Sequence, residues 1–379
     1  TNAPPSSDST GGQPAHRPKP AHSSTPETTA CFRIMVCGFE PFLCRRQVCH
    51  RARAVGYDGS MNAILYRRYG SPDVLASADI PKPSPGPGQI LIAVRASSVN
   101  PIDWKLASGK LRFLMPLKLP QVPGFDVAGE VVEVGAGVTG FPIGARVHAR
   151  LDKGIGAASA AFSLASPDVT TVMPDSMDFA TAAGLPLAGM TALQGLRNHG
   201  GLSLSGSTKR VLVIGASGGV GHLAVQIARA AGATVIGICS GRNRAMVESL
   251  GANEVIDYQQ PDPYRSLAPC DIILDCVGSA YQDWTPFLTP SGAFVSALPG
   301  PALILRGLLN AVSRHKVHAV MLKSNAPDLR ILDELAAAGK LRVVIDQRFP
   351  LEQLQAAWQR SISGRAVGKI IITVGPQAT

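Results

Sequence analysis

The residues Val211-Leu-Val-Ile-Gly-Ala-Ser-Gly-Gly-Val-Gly221 have the composition of an anion-binding turn. Small side chains let a backbone approach a phosphate, and the N–H groups that open a helix point at it. Read as G-x-G-x-x-G, the pattern falls on Ala216, Gly218 and Gly221, with alanine in the first place. The backbone of Ala216, Ser217, Gly218, Gly219, Val220 and Gly221 is therefore the candidate seat of a dinucleotide pyrophosphate. Further along, Cys239-Ser-Gly-Arg-Asn-Arg244 offers two guanidinium groups and no acidic residue before Glu248. A site selecting NAD places an Asp or Glu at about this distance for the ribose 2′-hydroxyl. Arg242 and Arg244 suit a 2′-phosphate instead, with Ser240 as a further donor, so NADP is the expected cofactor.

A turn of this kind needs a strand before it and a helix after it. Val211 to Ile214 is a continuous apolar run, as in a strand buried on both faces of a parallel sheet. Val220, Leu223, Ala224, Ile227, Ala228 and Ala231 follow at helical spacing and form one apolar stripe. Beyond Asp178 strands and helices alternate. Strands are expected at Thr234–Ile238, Glu254–Asp257, Asp271–Val277, Ala293–Ala297 and Val317–Leu322. Helices are expected at Arg244–Leu250, Leu329–Ala338 and Leu351–Ser361, with strands at Leu341–Ile345 and Lys369–Val374. That alternation predicts a doubly wound parallel sheet. From Met61 to about Met173 the pattern is β instead: Asn62–Tyr66, Gln89–Val99, Val127–Val134 and Ala145–Leu151, punctuated by Gly and Pro. Short strands so spaced predict a small barrel.

The 379-residue chain is long for a single core and suggests about two folded domains. Residues 1–60 differ in texture, being Ser/Thr/Pro/Gly-rich at first and without a sustained period later. They read as a disordered extension, an organelle transit peptide or sequence outside the functional frame. Cys31, Cys37, Cys44 and Cys49 lie in this segment, at spacings that match no common zinc finger. Only Cys239, Cys270 and Cys276 follow, which is no disulfide framework and suits a reducing compartment. A net charge of +10 suits an anionic cofactor and requires no nucleic acid. No run reads as a membrane span. The basic and apolar segment from Arg306 to Lys316 leaves weak contact with a membrane surface open. His148, His199 and His222 read as packing or surface residues. Trp104, Trp284 and Trp358 read as core or cleft walls.

Four segments carry a family likeness: Val99-Asn-Pro-Ile-Asp-Trp-Lys105, Pro123-Gly-Phe-Asp-Val-Ala-Gly-Glu130, Gly184-Leu-Pro-Leu-Ala-Gly-Met-Thr-Ala192 and Gly364-Arg-Ala-Val-Gly-Lys369. With a nucleotide turn more than halfway along, behind a β-rich part, the chain resembles the medium-chain dehydrogenase/reductase superfamily. It is most similar to the zinc-independent quinone oxidoreductase and enone (alkenal) reductase branch. The zinc alcohol dehydrogenases of that superfamily carry Gly-His-Glu where Gly124-Phe125-Asp126 stands, and Phe125 cannot ligate zinc. The Gly215-x-x-x-Gly219-x-Gly221 spacing also fits short-chain dehydrogenases. Their Tyr-x-x-x-Lys pair is lacking at Tyr258, Tyr264 and Tyr281.

The resemblance implies an α/β chain with a GroES-like β-barrel catalytic domain (61–183 and 322–379) and a Rossmann cofactor domain (184–321). It implies that Asn100, Asp103 and Lys105 line the cleft, with Lys105 stabilising an oxyanion and Asp103 either orienting it or serving as a turn acid. Thr191 would reach the nicotinamide carboxamide, and Tyr258 would touch the 2′-phosphate. Many relatives have a Gly-x-x-Ala-Glu-Tyr segment where Gly156-Ala-Ala-Ser-Ala-Ala-Phe162 stands, so protonation by solvent or through the cofactor ribose is expected. The activity implied is metal-free, NADPH-dependent reduction of a quinone or an α,β-unsaturated carbonyl. The alternatives are an enoyl thioester reductase and a non-catalytic nucleotide-binding protein with a structural, RNA- or membrane-associated role. A homodimer is implied, and a cytoplasmic location is expected unless residues 1–60 direct the chain to a chloroplast or mitochondrion.

Overall fold

The computed structural model describes residues 59–113, 115–151, 157–298, 300–311 and 313–375. The expectations for residues 1–58, including Cys31, Cys37, Cys44 and Cys49, and for Gly156 lie outside the described residues.

The chain opens with β1 (Ser60–Tyr66) and β2 (Leu75–Pro81), an antiparallel pair. Then come β3 (Ile90–Val99), the short helix α1 (Pro101–Ala107), β4 (Asp126–Val134), β5 (Arg146–Arg150), β6 (Phe162–Ala165) and β7 (Thr170–Val172). Helices α2 (Phe179–Gly184) and α3 (Pro186–Gln194) lead away from this β-rich part. The alternating part is β8 (Arg210–Ile214), α4 (Gly221–Ala230), β9 (Thr234–Cys239), α5 (Arg244–Ser249), β10 (Glu254–Asp257) and β11 (Cys270–Asp275). It continues with α6 (Tyr281–Trp284), β12 (Leu288–Ser296), α7 (Pro301–Gly307) and β13 (Lys316–Ala319). The chain then returns through α8 (Ala326–Ala337) to β14 (Ile345–Pro350), α9 (Leu354–Ile362) and β15 (Lys369–Thr373).

Two larger sheets result. The six-stranded sheet has the order β10-β9-β8-β11-β12-β13 and is parallel throughout. Its order reverses beside β8, and a crevice outside the carboxyl ends of the strands at such a point is where open α/β sheets take ligands. The seven-stranded sheet runs β14-β15-β3-β4-β5-β7, with β6 on β3, and is antiparallel except where β14 meets β15. The last strand of the chain thus completes the sheet that the first third began. The GroES-like and Rossmann architecture expected from the sequence is present.

One expected strand lies elsewhere. Leu341 to Val344 lies outside the sheet strands, and β14 starts only at Ile345. The Arg342 N–H donates to Gln226 Oε1, and the Val344 carbonyl accepts from the N–H of Lys369, the first residue of β15, so a helix side chain and a strand end satisfy these groups. The apolar run was a fair sign of burial, since Leu341 is inside, and a poor sign of pairing.

Candidate functional site

The nucleotide turn follows from strand and helix burial. β8 is buried from Val211 to Ile214, and α4 buries Leu223, Ala224, Ile227 and Ala228. Between them the chain must turn sharply. Gly215 adopts φ +77°, where an L side chain is strained. A Cβ on Gly221 would stand 2.1 Å from the Gly215 carbonyl oxygen, so only glycine fits there. The Gly215 and Ala216 N–H groups both donate to the Ile238 carbonyl, and Gly218 N–H donates to the Gly215 carbonyl. The N–H groups of Ser217, Gly219 and Val220 have no hydrogen-bond partner among the described residues. Unsatisfied donors at the head of a buried helix fit a phosphate, and on its other side Gly219 packs closely, a Cβ there standing 3.4 Å from the Gly368 carbonyl oxygen.

His222 sits behind the turn, fully buried, with Nδ1 at 2.9 Å from the Gly218 carbonyl oxygen. Burial pulls its pKa down to about 4, so it is a neutral donor to that carbonyl. Asn243 Nδ2 donates to Ser217 Oγ at 3.0 Å and ties the turn to the loop that carries the arginines. In that loop Ser240 is buried, while Arg242 and Arg244 are exposed. Arg244 pairs at 3.5 Å with Glu248 four residues on, an exposed contact of little strength. Tyr258, 53% exposed, flanks the same loop through its N–H to the Cys239 carbonyl. The structure therefore brings Ser240, Arg242, Arg244 and Tyr258 to one rim. It also brings Asp257, which was read only as the end of a strand although its neighbour Tyr258 was named for the site. Asp257 accepts from the Gln259 N–H at 3.0 Å, and this and further hydrogen bonds hold its carboxyl below the usual range.

On the barrel side, Asn100 caps α1, and Asp103 closes that first turn by accepting the Asn100 N–H at 2.7 Å. Both are buried. The Asn100 amide is fully engaged: Nδ2 donates to Asp126 at 2.8 Å, and Oδ1 accepts from Lys369 Nζ at 2.6 Å. Asp126 accepts further from Ser98 Oγ (2.7 Å) and from the Leu187 N–H (2.8 Å), and lies 3.7 Å from Lys369 Nζ. One buried cation thus stands among two buried carboxyls. Asp103 Oδ1 has no hydrogen-bond partner among the described residues, and burial raises the Asp103 pKa to about 7. Burial likewise lowers the Lys369 pKa, against the pull of Asp126 and Asp103.

Lys105 is different. It is half-buried two residues past Asp103, its ammonium 5.6 Å from the centroid of Trp104, and burial followed by the charge of Lys110 lowers its pKa. No ion pair to Asp103 forms among the described residues; Asp103 holds the helix and not the lysine head. Trp104 is pinned by its Nε1–H to Ser361 Oγ at 3.0 Å, which fixes the face of α1 that Lys105 shares. Thr191, on α3, donates its hydroxyl proton to the Leu187 carbonyl at 2.7 Å and so keeps its lone pairs to accept. Asn100, Asp103 and Thr191 therefore meet in one network through Asp126 and Leu187, while Lys105 adjoins it. Lys369, Asp126 and Ser98 were missed as network members; the only signal was that Asp126 and Lys369 stand within two of the family-like segments.

An open groove of about 420 Å³ lies on the outside of α1, lined by Trp104, Ser108, Lys110, Trp358 and Ile362 among others. It is strongly apolar and stands apart from the turn. Among the described residues, no group of three or more His, Cys, Asp or Glu is placed to hold a metal ion.

Residues 86–170 match the alcohol dehydrogenase GroES-like domain, and residues 250–372 match the zinc-binding dehydrogenase family. The chloroplast envelope quinone oxidoreductase homolog of Arabidopsis thaliana is 39% identical over 82% of this chain and 98% of its own length. The chain belongs to the zinc-independent quinone oxidoreductase branch of the medium-chain dehydrogenase/reductase superfamily. As such it is an NAD(P)H-dependent oxidoreductase. The solved quinone oxidoreductase from Coxiella burnetii superposes with a TM-score of 0.75 at 32% identity, covering 83% of this chain and all of that one. The human synaptic vesicle membrane protein VAT-1 homolog-like protein gives 0.72 at 25%, over 85% of this chain and all of that one. The expectation of a cytoplasmic location is overturned by the relatives: the Arabidopsis protein is named for the chloroplast envelope, and others for the chloroplast or mitochondrion.

Proposed function

We propose that the chain is an NADPH-dependent reductase of quinones or α,β-unsaturated carbonyls working without a metal, in an organelle. The observation that carries this reading is the pairing of three unsatisfied N–H groups at the head of α4 with a lysine-bearing helix wired to Asp126. When bound, a reduced nicotinamide supplies the hydride. The barrel unit (61–183 and 322–379) brings Lys105, and the nucleotide unit (184–321) brings the turn and Thr191.

The Ser217, Gly219 and Val220 N–H groups hold the pyrophosphate. Arg242 and Arg244, with Ser240 and Tyr258, hold a 2′-phosphate. Thr191, its hydroxyl proton given to Leu187, would accept from the nicotinamide carboxamide. Lys105 stabilises the negative charge that develops on the acceptor oxygen; a positioned donor of this kind contributes about 10²–10³ in rate. Phe162 has no proton to give, so solvent or the cofactor ribose returns it. The acceptor is a small molecule, and no nucleic acid is required.

NADPH oxidation against small enones, long-chain enones and quinones tests the reading. Turnover with at least one class, undiminished after dialysis against a chelator, is expected. Replacing Arg242 and Arg244 by Ala should raise the Michaelis constant for NADPH about tenfold or more and that for NADH little, since charge-assisted phosphate bonds are lost. Equal effects on both nucleotides would contradict the 2′-phosphate assignment.

A second reading is favoured by the likeness to a synaptic vesicle membrane protein and by the apolar residues that α7 exposes. Under it the chain binds nucleotide and serves a membrane-associated role without turnover. Tight NADPH binding with no acceptor reduced, together with sedimentation on anionic vesicles, would select it.

A further inference from the structure

Lys369 joins parts of the molecule that the nucleotide and the acceptor would touch separately. Its peptide neighbour anchors the turn: the Gly368 N–H donates to the Ser217 carbonyl at 2.9 Å. Its stem packs there too, with Cδ 3.4 Å from where a Cβ on Gly219 would stand. Its ammonium crosses to the barrel, donating to Asn100 Oδ1 at 2.6 Å and reaching the Val99 carbonyl at 3.4 Å. Asn100 is the N-cap of α1, whose fifth residue is Lys105. Beside the ammonium, Asp126 receives the Leu187 N–H and so steadies the first turn of α3, which carries Thr191. A buried ammonium is costly unless its partners are fixed, so moving any of these elements strains the others.

We propose that Lys369 is a positioning residue: it registers the nucleotide turn against the cap of α1, so that filling the turn alters the setting of Lys105. The inference rests on the nucleotide reading above and adds a coupling between two ends of the site. Coupling of this kind is reciprocal and acts through binding free energy, whether or not turnover follows.

The test uses ADP and adenosine 2′,5′-bisphosphate, which lack the nicotinamide riboside and so reach the turn and the arginine rim alone. Binding is first measured by calorimetry on the full chain. Lys105 is then labelled with a limiting dose of an amine-acylating reagent, with and without saturating fragment, and quantified by peptide mass spectrometry. Exposed Lys110 serves as the internal standard. In the wild type, the fragment should change the Lys105 labelling rate by about fivefold, at the low end of usual couplings. Lys369→Met should abolish that change at saturating fragment. Asn100→Leu cuts the same connection at its other end and should do likewise, which keeps the test open if Lys369→Met does not fold. A Lys105 rate indifferent to the fragment in the wild type, or a change that persists in the variants, overturns the proposal. Absence of any fragment binding to the wild type overturns the nucleotide reading itself, and the calorimetry shows that before any labelling.

Discussion

At the scale of single residues, two lysines and two carboxyls divide the work. Lys105 is the cation with a half-exposed head; Lys369 is buried among Asn100, Asp126 and Asp103. Lys105→Met should lower turnover about a hundredfold with nucleotide affinity nearly unchanged, as for removal of an oxyanion donor. Steady-state kinetics with calorimetric binding checks this. Asp103 gives a pH signature. Its pKa rises from the ordinary value to about 7 on folding, so the native state holds this proton more tightly than the unfolded chain. The stability it contributes is present at low pH and is lost as the pH rises from about 4 to about 7. His222 acts oppositely, its folded pKa of about 4 removing stability as the pH falls below its ordinary value. Urea unfolding of wild type and Asp103→Asn should therefore show the wild type losing more stability than the variant between pH 5 and pH 7.5. Of this cluster, Asn100, Asp103 and Lys105 could be named from one short segment. Lys369 could not, because its bond to Asn100 spans 269 residues and leaves no local pattern.

Among the elements, the nucleotide turn was the most legible, since its strand, bend and helix lie within one continuous stretch. Gly221→Ala places a methyl against the Gly215 carbonyl. It should cost about 1–3 kcal/mol of stability, as overpacking does, and abolish fragment binding by calorimetry. Helix α1 escaped the periodicity reading because its seven residues hold less than one repeat of an apolar stripe. β14 was misplaced by a few residues because Leu341 and Val343 signal burial against other elements and say nothing of pairing. α9 anchors the barrel through Trp358, which is 1% exposed. Trp358→Ala should cost about 3–5 kcal/mol, read by denaturant midpoint, and should loosen the wall that Trp104 shares.

For the molecule as a whole, β13 is an edge of the parallel sheet, and Leu305, Leu308 and Met321 near it are 66%, 74% and 62% exposed. Open strand edges beside apolar side chains invite another chain. We expect a second copy there: light scattering should give a dimer, and Leu308→Asp a monomer. The two-sheet architecture was readable from texture alone, strands with turns first and alternation afterwards. How the barrel wires into the nucleotide turn was not, because Lys369, Asn100 and Asp126 meet only once the last strand has joined the first sheet. Direct hydride delivery to an activated carbon is tested most directly with NADPH deuterated at one face of C4. With an enone acceptor, product mass spectrometry should find deuterium at the β-carbon from one face of the nicotinamide and not from the other. Reduced product without deuterium from either face would contradict the account.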